Sequence, residues 1–238
     1  MGHVKMVGGN PTMQVPVAGI VLGNLAEGSI VKINESGSPV DFYVAKHDYE
    51  PVLNGTGRTL LVRKDVYDTR AWATSGINKY ASSSISAWLN DGAGLYGNPS
   101  YMVALLDEKV QEAIGVTTFY ASIGGSQGDD ETTVTTIQKP VFLLSLAEYG
   151  LTHQYANTEG SELPTADILR LAYLNGTATA HWTRSSTNDA NGTGALQVTA
   201  TGTANSAYVD RAYGSRPAFT LPATTLFDEE TMTIKGVA

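Results

Sequence analysis

The amino-acid sequence predicts an α+β fold, in which two short helices interrupt an otherwise strand-rich chain. The spacing of Ile85, Trp88 and Leu89 by three and four residues predicts the first helix. Apolar positions within 105–114 predict the second helix, and Gly115 is typical of a residue that ends one. Strand-like segments lie on both sides of the helices, and this order favours α+β over α/β.

Strands are predicted from alternating apolar and polar residues between turn-forming segments. Residues 29–34 and 40–45 form a predicted β-hairpin, because the intervening Glu35-Ser36-Gly37-Ser38-Pro39 is typical of a turn. Further strands are predicted at 59–63, 116–121, 132–137, 141–144, 195–201 and in the tail 228–238. No linker divides the chain in two. The predicted organisation is an N-terminal arm (1–27), one domain (28–222) and a C-terminal tail or strand (223–238).

Composition excludes several classes of function. The chain has 238 residues and a formal net charge of −8, with no basic stripe, so nucleic acid and anionic membranes are unfavourable partners. It has no cysteine, which excludes disulfides and thiolate catalysis. Residues 1–19 lack the apolar run of a signal peptide, and no apolar run is long enough to span a membrane. We therefore expect that the protein either stays inside its cell or leaves by assembly or lysis, without membrane insertion.

Two blocks near the C-terminus each place an arginine among apolar or aromatic neighbours. They are Trp182-Thr183-Arg184-Ser185 and Gly214-Ser215-Arg216-Pro217-Ala218-Phe219. Burying an arginine costs several kcal/mol unless its guanidinium is paired, so the blocks predict a structural hub that uses an acid or backbone carbonyls. A clamp for an anionic or sugar ligand is the alternative. The predicted hub comprises Arg184, Arg216, Trp182, Glu148 and Trp72, with the tryptophans in the core.

The segment 185–213 is the predicted contact face. It is dense in serine, threonine, asparagine, alanine, tyrosine and glycine, a composition that adapts to varied ligands through small polar groups and a few rigid aromatic rings. The residues expected to contact a ligand are Tyr208, Tyr213, Asn188, Asn191 and Asn205. The alternative is a hydrophilic loop region that binds nothing.

Six blocks occur in an order that is shared with a known family. They are 61–67 with Arg70 and Trp72, 84–90, 141–145 with Glu148, 171–176, 182–185 and 213–219. In this order they resemble an uncharacterised domain family of phage structural proteins and gut-bacterial proteins. That family looks like a branch of the C-type-lectin-like fold, which includes formylglycine-generating enzymes. The resemblance implies small antiparallel sheets with two short helices, adjacent termini and long loops that bind. His181 departs from it, because the family often has a second aromatic residue beside the tryptophan.

Catalytic and metal sites find little support in the sequence. The four histidines (3, 47, 153 and 181) show no metal-ligand spacing, and no Gly-x-Ser-x-Gly elbow occurs. The cysteines of the formylglycine-generating enzymes are absent, so that activity is not carried over. Two acidic turns, 129–131 and 189–192, leave Ca²⁺ as an alternative to the prediction of no cofactor, because hard oxygen ligands at such spacing can hold it.

These observations lead to a non-enzymatic function. The first hypothesis is a virion structural protein of a tailed phage, made in the bacterial cytoplasm, that decorates the capsid or contacts the host surface from the tail. It would dock on other virion proteins through its terminal arms, reach a host-surface glycan or protein, and form homo-oligomers, because display on a symmetric particle needs repeated copies. The alternative is a bacterial carbohydrate-binding module, and an enzyme is the least favoured hypothesis.

Overall fold

The structure is a computed structural model that describes residues 19–90, 100–124, 133–189 and 192–237, with the backbone alone for Val237. Within these ranges the strands are β1 (Ile20–Val21), β2 (Ile30–Glu35), β3 (Ser38–His47), β4 (Arg58–Arg63), β5 (Asp68–Ala71), β6 (Thr117–Ser122), β7 (Val134–Lys139), β8 (Val141–Phe142), β9 (Tyr173–Leu174), β10 (Thr177–Ala178), β11 (His181–Ser186), β12 (Gly194–Val198), β13 (Ala204–Tyr208), β14 (Ala212–Ser215), β15 (Ala218–Pro222), β16 (Thr225–Phe227) and β17 (Ile234–Val237). The helices are α1 (Pro51–Asn54), α2 (Ser84–Asn90), α3 (Tyr101–Leu105), α4 (Glu108–Ala113) and α5 (Ala166–Leu169), with 3-10 turns at Leu22–Asn24, Tyr80–Ser82 and Ala147–Tyr149.

The strands form five separate sheets. Two sheets have five strands each, in the orders β2-β3-β4-β15-β8 and β13-β12-β11-β14-β5. A three-stranded sheet has the order β1-β16-β17, and β6 with β7 and β9 with β10 form two-stranded sheets. Apart from β11 with β14, which is parallel, the paired strands are antiparallel. The two five-stranded sheets join through the short connection between β14 and β15.

The predicted α+β, C-type-lectin-like fold is corrected to a mostly β fold, with about 40% strand and 18% helix. Short helices are present, but the second helix, predicted over 105–114, is not continuous. Leu105 ends α3 and Glu108–Ala113 form α4, so Leu106 and Asp107 lie between the two helices. Leu106 forms an antiparallel bridge with Glu35, and the Ser36 N–H donates to the carbonyl of Leu105. Bonds to the edge of β2 therefore interrupt a helix that the apolar spacing favours.

Several predicted elements are confirmed, among them the hairpin, the first helix and the strand at 59–63, which is β4. The hairpin is β2 paired with β3 from Ile30 opposite Tyr43 to Glu35 opposite Ser38. Its turn uses Gly37 at φ 76°, a conformation that side chains rarely adopt. The first predicted helix is α2, which buries the face that carries Trp88.

One core cluster joins most of these elements. Phe42 of β3 packs against Phe219 of β15 with ring centroids 5.3 Å apart. Leu22 and Phe227 are fully buried in the same cluster. The described parts of the predicted arm and tail therefore pack with the body, and β1 and β17 lie on either side of β16.

Candidate functional site

Four buried polar side chains, Tyr49, Glu148, Glu159 and Arg184, lie close together in the core. This cluster is called here the Arg184 hub. Arg184 projects from β11, all of whose residues are buried, and Glu148 from the 3-10 turn at Ala147–Tyr149. Their side chains are fully buried and make two parallel contacts, Nη1 to Oε2 at 2.6 Å and Nη2 to Oε1 at 3.0 Å. This two-point geometry gives the strongest form of arginine–carboxylate pair.

The remaining donors of Arg184 are bound to backbone carbonyls. Nε donates to Tyr120 at 2.7 Å, Nη1 to Leu143 at 3.1 Å and Nη2 to Glu159 at 3.4 Å. Together with the two contacts to Glu148, these bonds use all five N–H groups of the guanidinium. Arg184 therefore has no donor left for a ligand, which favours the hub over the clamp.

The two glutamates of the hub are bound differently. Glu148 also accepts from the hydroxyl of Tyr49 at 2.5 Å, and burial followed by the charge of Glu148 raises the pKa of that hydroxyl. Glu159 accepts from the N–H and the hydroxyl of Ser122 and, at 2.7 Å, from the hydroxyl of Ser185. Burial raises the pKa of Glu159. The hub is thus saturated with internal hydrogen bonds.

Arg216 is separate from the hub and uses backbone carbonyls. It is fully buried, and it donates from Nε to Arg63 at 2.7 Å, from Nη2 to Lys64 at 2.8 Å and from Nη1 to Leu169. No carboxylate lies within ion-pair distance of it in the described part of the chain. Arg216 therefore joins the end of β4 to the end of α5 through their carbonyl groups.

His181 and Tyr149 pack beside Arg216, edge to face, with ring centroids 5.4 Å apart. Both are buried, and His181 Nε2 has no hydrogen-bond partner among the described residues. Burial, followed by the positive charge of Arg216, lowers the pKa of His181 from 6.5 to about 3. The imidazole is therefore neutral at physiological pH.

This environment predicts acid destabilisation. Between pH 6.5 and about 3 the unfolded chain binds a proton at His181 that the folded chain does not. The contribution of neutral His181 to the free energy of unfolding is therefore complete above pH 6.5. It is lost as the pH falls below that value, by up to about 1.4 kcal/mol per pH unit. Urea unfolding at pH 4, 5, 6 and 7 should give a smaller pH slope for His181→Gln than for the natural chain. The opposite contribution of Glu159 is common to both proteins, and equal slopes would contradict the prediction.

The two predicted core tryptophans hold β5 and β11 together. Both are fully buried. Trp72 Nε1 donates to the carbonyl of Thr183 at 2.8 Å, and Trp182 Nε1 donates to the carbonyl of Arg70 at 3.0 Å. The exchange satisfies both indole N–H groups, which is what a buried tryptophan requires.

The predicted contact residues do not form one face. Tyr213 is half-buried and packs edge-on against Trp182, with centroids 4.9 Å apart. Asn205 and Tyr208 are exposed on β13. Asn188 follows β11, where its N–H donates to the carbonyl of Tyr155. Asn191 lies outside the described residues, as does the acidic turn 129–131.

A cleft of about 390 Å³ lies over the loop that follows the 3-10 turn at Ala147–Tyr149, and it is called here the 147–162 cleft. Its lining is Ala147, Gly150, Leu151, Thr152, His153, Ala156, Asn157, Thr158, Gly160 and Glu162. None of these residues belongs to the site predicted from the sequence. Irregular loops lack periodicity, and only the density of asparagine, threonine and glutamate there could have drawn attention.

Hydrogen bonds connect the 147–162 cleft to the hub. Asn188 Nδ2 donates to Asn157 Oδ1 at 2.9 Å, and Asn157 Nδ2 donates to the hydroxyl of Ser122 at 2.9 Å, which in turn donates to Glu159. Gly160 has φ 90°, and a Cβ there would lie 3.1 Å from the Glu50 carboxylate. The hub therefore holds the wall of the cleft in a defined position.

The side chains that line the cleft are mostly uncharged. Amide and hydroxyl groups come from Asn157, Thr152 and Thr158. The ring of His153 lies 5.6 Å from that of Tyr155, which is partly exposed beside the cleft. Glu162, the one carboxylate in the lining, is 3.7 Å from Arg170. Among the described residues, no three histidine or acidic side chains are grouped so as to hold a metal ion.

Comparison with known proteins places the chain in a family. A family model described as a domain of unknown function, DUF6273, matches residues 56–223, and the chain belongs to that family. The match begins just before β4 and ends just after β15, so it includes the cleft and the hub residues Glu148, Glu159 and Arg184, while Tyr49 precedes it. No curated protein and no solved structure matches the chain. In the described ranges, no helix has the length and apolar character that crossing a bilayer requires.

Proposed function

We propose that this chain is a non-enzymatic binding domain and that the 147–162 cleft takes a neutral glycan. The observation that carries the proposal is the double anchoring of Asn157, whose amide is bound by Asn188 and by Ser122. An amide held in this way is fixed in orientation, so the uncharged groups around it can meet sugar hydroxyls at low entropic cost. The neighbouring threonines and the His153 ring supply further groups of the same kind.

The state of the hub supports binding rather than catalysis. A catalytic acid or base has to come within hydrogen-bond reach of the reacting group. Glu159 lies behind Ser122, and Glu148 is enclosed by Arg184, Tyr49 and the Ser145 N–H. The ionisable groups of the hub are therefore engaged in holding the cleft loop in place.

Glycan-array binding of the isolated protein tests this proposal. We expect measurable binding to neutral glycans, and we expect Asn157→Ala to weaken it by about tenfold, which corresponds to the loss of one or two hydrogen bonds. Gln138→Ala is the matched control, because this amide on β7 donates to Thr118 and lies outside the cleft. An array without binding, with and without Ca²⁺, or equal effects of the two substitutions, would contradict the proposal.

We further propose that the domain acts on the virion of a tailed phage, where it contacts the host surface and docks on other virion proteins through its terminal segments. The order of the sequence blocks shared with phage structural proteins supports this setting. Mass spectrometry of purified particles should detect the chain. Its absence from the particles would favour the alternative, a bacterial carbohydrate-binding module with the same ligand class.

A further inference from the structure

The edges of the two five-stranded sheets differ in how they are closed. On β2, the Lys32 N–H donates to the carbonyl of Met232, and the Asn34 carbonyl accepts from the Asp107 N–H. On β8, the side-chain amide of Asn90 makes both hydrogen bonds with the backbone of Val141. Helix α2 packs against β5. Three of the four edge strands are therefore covered by other parts of the chain.

The fourth edge strand, β13, has an open outer side. The Thr199 N–H donates to the Thr203 carbonyl and the Val209 N–H to the Thr193 carbonyl, so odd-numbered residues from 203 to 209 point their backbone groups at β12. The even-numbered residues Ala204, Ser206 and Tyr208 point theirs outward. In the described part of the chain, the N–H groups of Ala204 and Tyr208 and the carbonyls of Ala204 and Ser206 have no partner.

The sequence of β13 does not protect this edge. Proteins commonly block exposed edges with charged residues, proline or a bulge. The strand reads Ala-Asn-Ser-Ala-Tyr, without charge or proline, and its pairing with β12 is regular over all five residues. Tyr208 is 65% exposed on the outer face. The edge is therefore suited to pairing with another extended strand.

We propose that two copies of the chain pair antiparallel through β13 about a two-fold axis, with Ser206 opposite Ser206 of the second copy. In this register Ala204 faces Tyr208 of the other copy, so a large ring lies beside a small side chain. Asp210 faces Gly202, so no like charges oppose one another despite the net charge of −8. The strand thus complements itself in size and charge, which an isologous dimer requires.

One side chain modulates the pairing. Asn205 Oδ1 accepts from the Ser206 N–H at 2.9 Å and so occupies the central outward donor of β13. The Asn205 side chain is exposed and has to turn away before the Ser206 N–H can pair across the axis. Asn205→Ala should therefore strengthen the dimer, because it removes this competing acceptor.

Single cysteines test the register in a chain that has none. Opposed residues of a hydrogen-bonded antiparallel pair have Cα atoms about 5.5 Å apart, within the range for a disulfide. We expect Ser206→Cys to form a disulfide-linked dimer on mild oxidation. Asn205→Cys is the matched control, because in this register the two residues 205 are diagonal and too distant to bridge. Equal cross-linking of the two variants, or none for Ser206→Cys, would overturn the proposal.

Sedimentation equilibrium of the natural chain and of Ser206→Pro is the second measurement. The Ser206 N–H makes no bond to β12, so proline should preserve the monomer fold, and urea unfolding checks this. We expect concentration-dependent dimers for the natural chain and monomers for Ser206→Pro. If the natural chain stays monomeric up to millimolar concentration, self-pairing is overturned, and this is the result expected if the edge binds a different protein. A dimer that persists in Ser206→Pro overturns it as well.

Discussion

Replacing Glu148 by alanine is expected to lower the free energy of unfolding by about 3–5 kcal/mol, because it leaves the Arg184 guanidinium buried without its carboxylate. Both side chains are fully buried, so water cannot take the place of the lost partner. The same change removes the acceptor of the Tyr49 hydroxyl and of the Ser145 N–H. Urea unfolding at pH 7, followed by tryptophan fluorescence, measures the change.

Asp41→Ala is the control for this prediction. Asp41 binds Lys32 at 2.8 Å, but about a third or more of each side chain is exposed. Exposed pairs contribute from zero to about 1 kcal/mol, so the control should change the unfolding free energy by no more than that. A Glu148→Ala effect as small as that of Asp41→Ala would show that the Arg184 hub does not hold the fold together.

Trp182→Ala is expected to cost a similar amount, about 3–5 kcal/mol, through the cavity it creates. The ring is fully buried, packs against Tyr213 and donates to the Arg70 carbonyl. Trp182→Phe keeps most of the volume and loses only the indole N–H, so we expect about 1–3 kcal/mol for it. Thermal and urea unfolding of both variants give the comparison.

Tyr173→Ala serves as the control for loss of an aromatic ring. Tyr173 lies on β9, and 42% of its surface is exposed. Its removal should change the unfolding free energy by less than about 1 kcal/mol. If Trp182→Ala cost no more than this control, Trp182 would not be part of the core that joins β5 to β11.

The predicted contact face illustrates what composition cannot resolve. The segment 185–213 is polar as predicted in composition, but its residues lie in different surroundings. Some are on the edge strand β13, some are in the loop after β11 beside the cleft, and some are on the packed strand β14. Tyr208 and Tyr213 are similar in sequence, yet Tyr208 is exposed on β13 and Tyr213 packs against Trp182. Alternation in a strand says that residues face opposite sides, but it does not say which side another element covers.

The sequence blocks shared with the family implied an architecture that is wrong. Residues 84–90 are α2, the helix that the apolar spacing predicted, and residues 182–185 lie in β11. The structure does not show the C-type-lectin-like arrangement of sheets and helices that the resemblance implied. Bonds such as that between Leu106 and Glu35 link residues that are distant in the chain, and local patterns contain no information about them.

The sequence alone determined the β2–β3 hairpin, helix α2 and the need for Arg184 and Arg216 to find internal partners. These features depend on local alternation and on the cost of burying a charge, both of which can be judged from neighbouring residues. Only the tertiary structure decided the partners. Glu148 is 36 residues from Arg184, and the Arg63 carbonyl is 153 residues from Arg216. The 147–162 cleft and the open edge of β13 were likewise decided by tertiary packing, because a surface is defined by what the rest of the chain leaves uncovered.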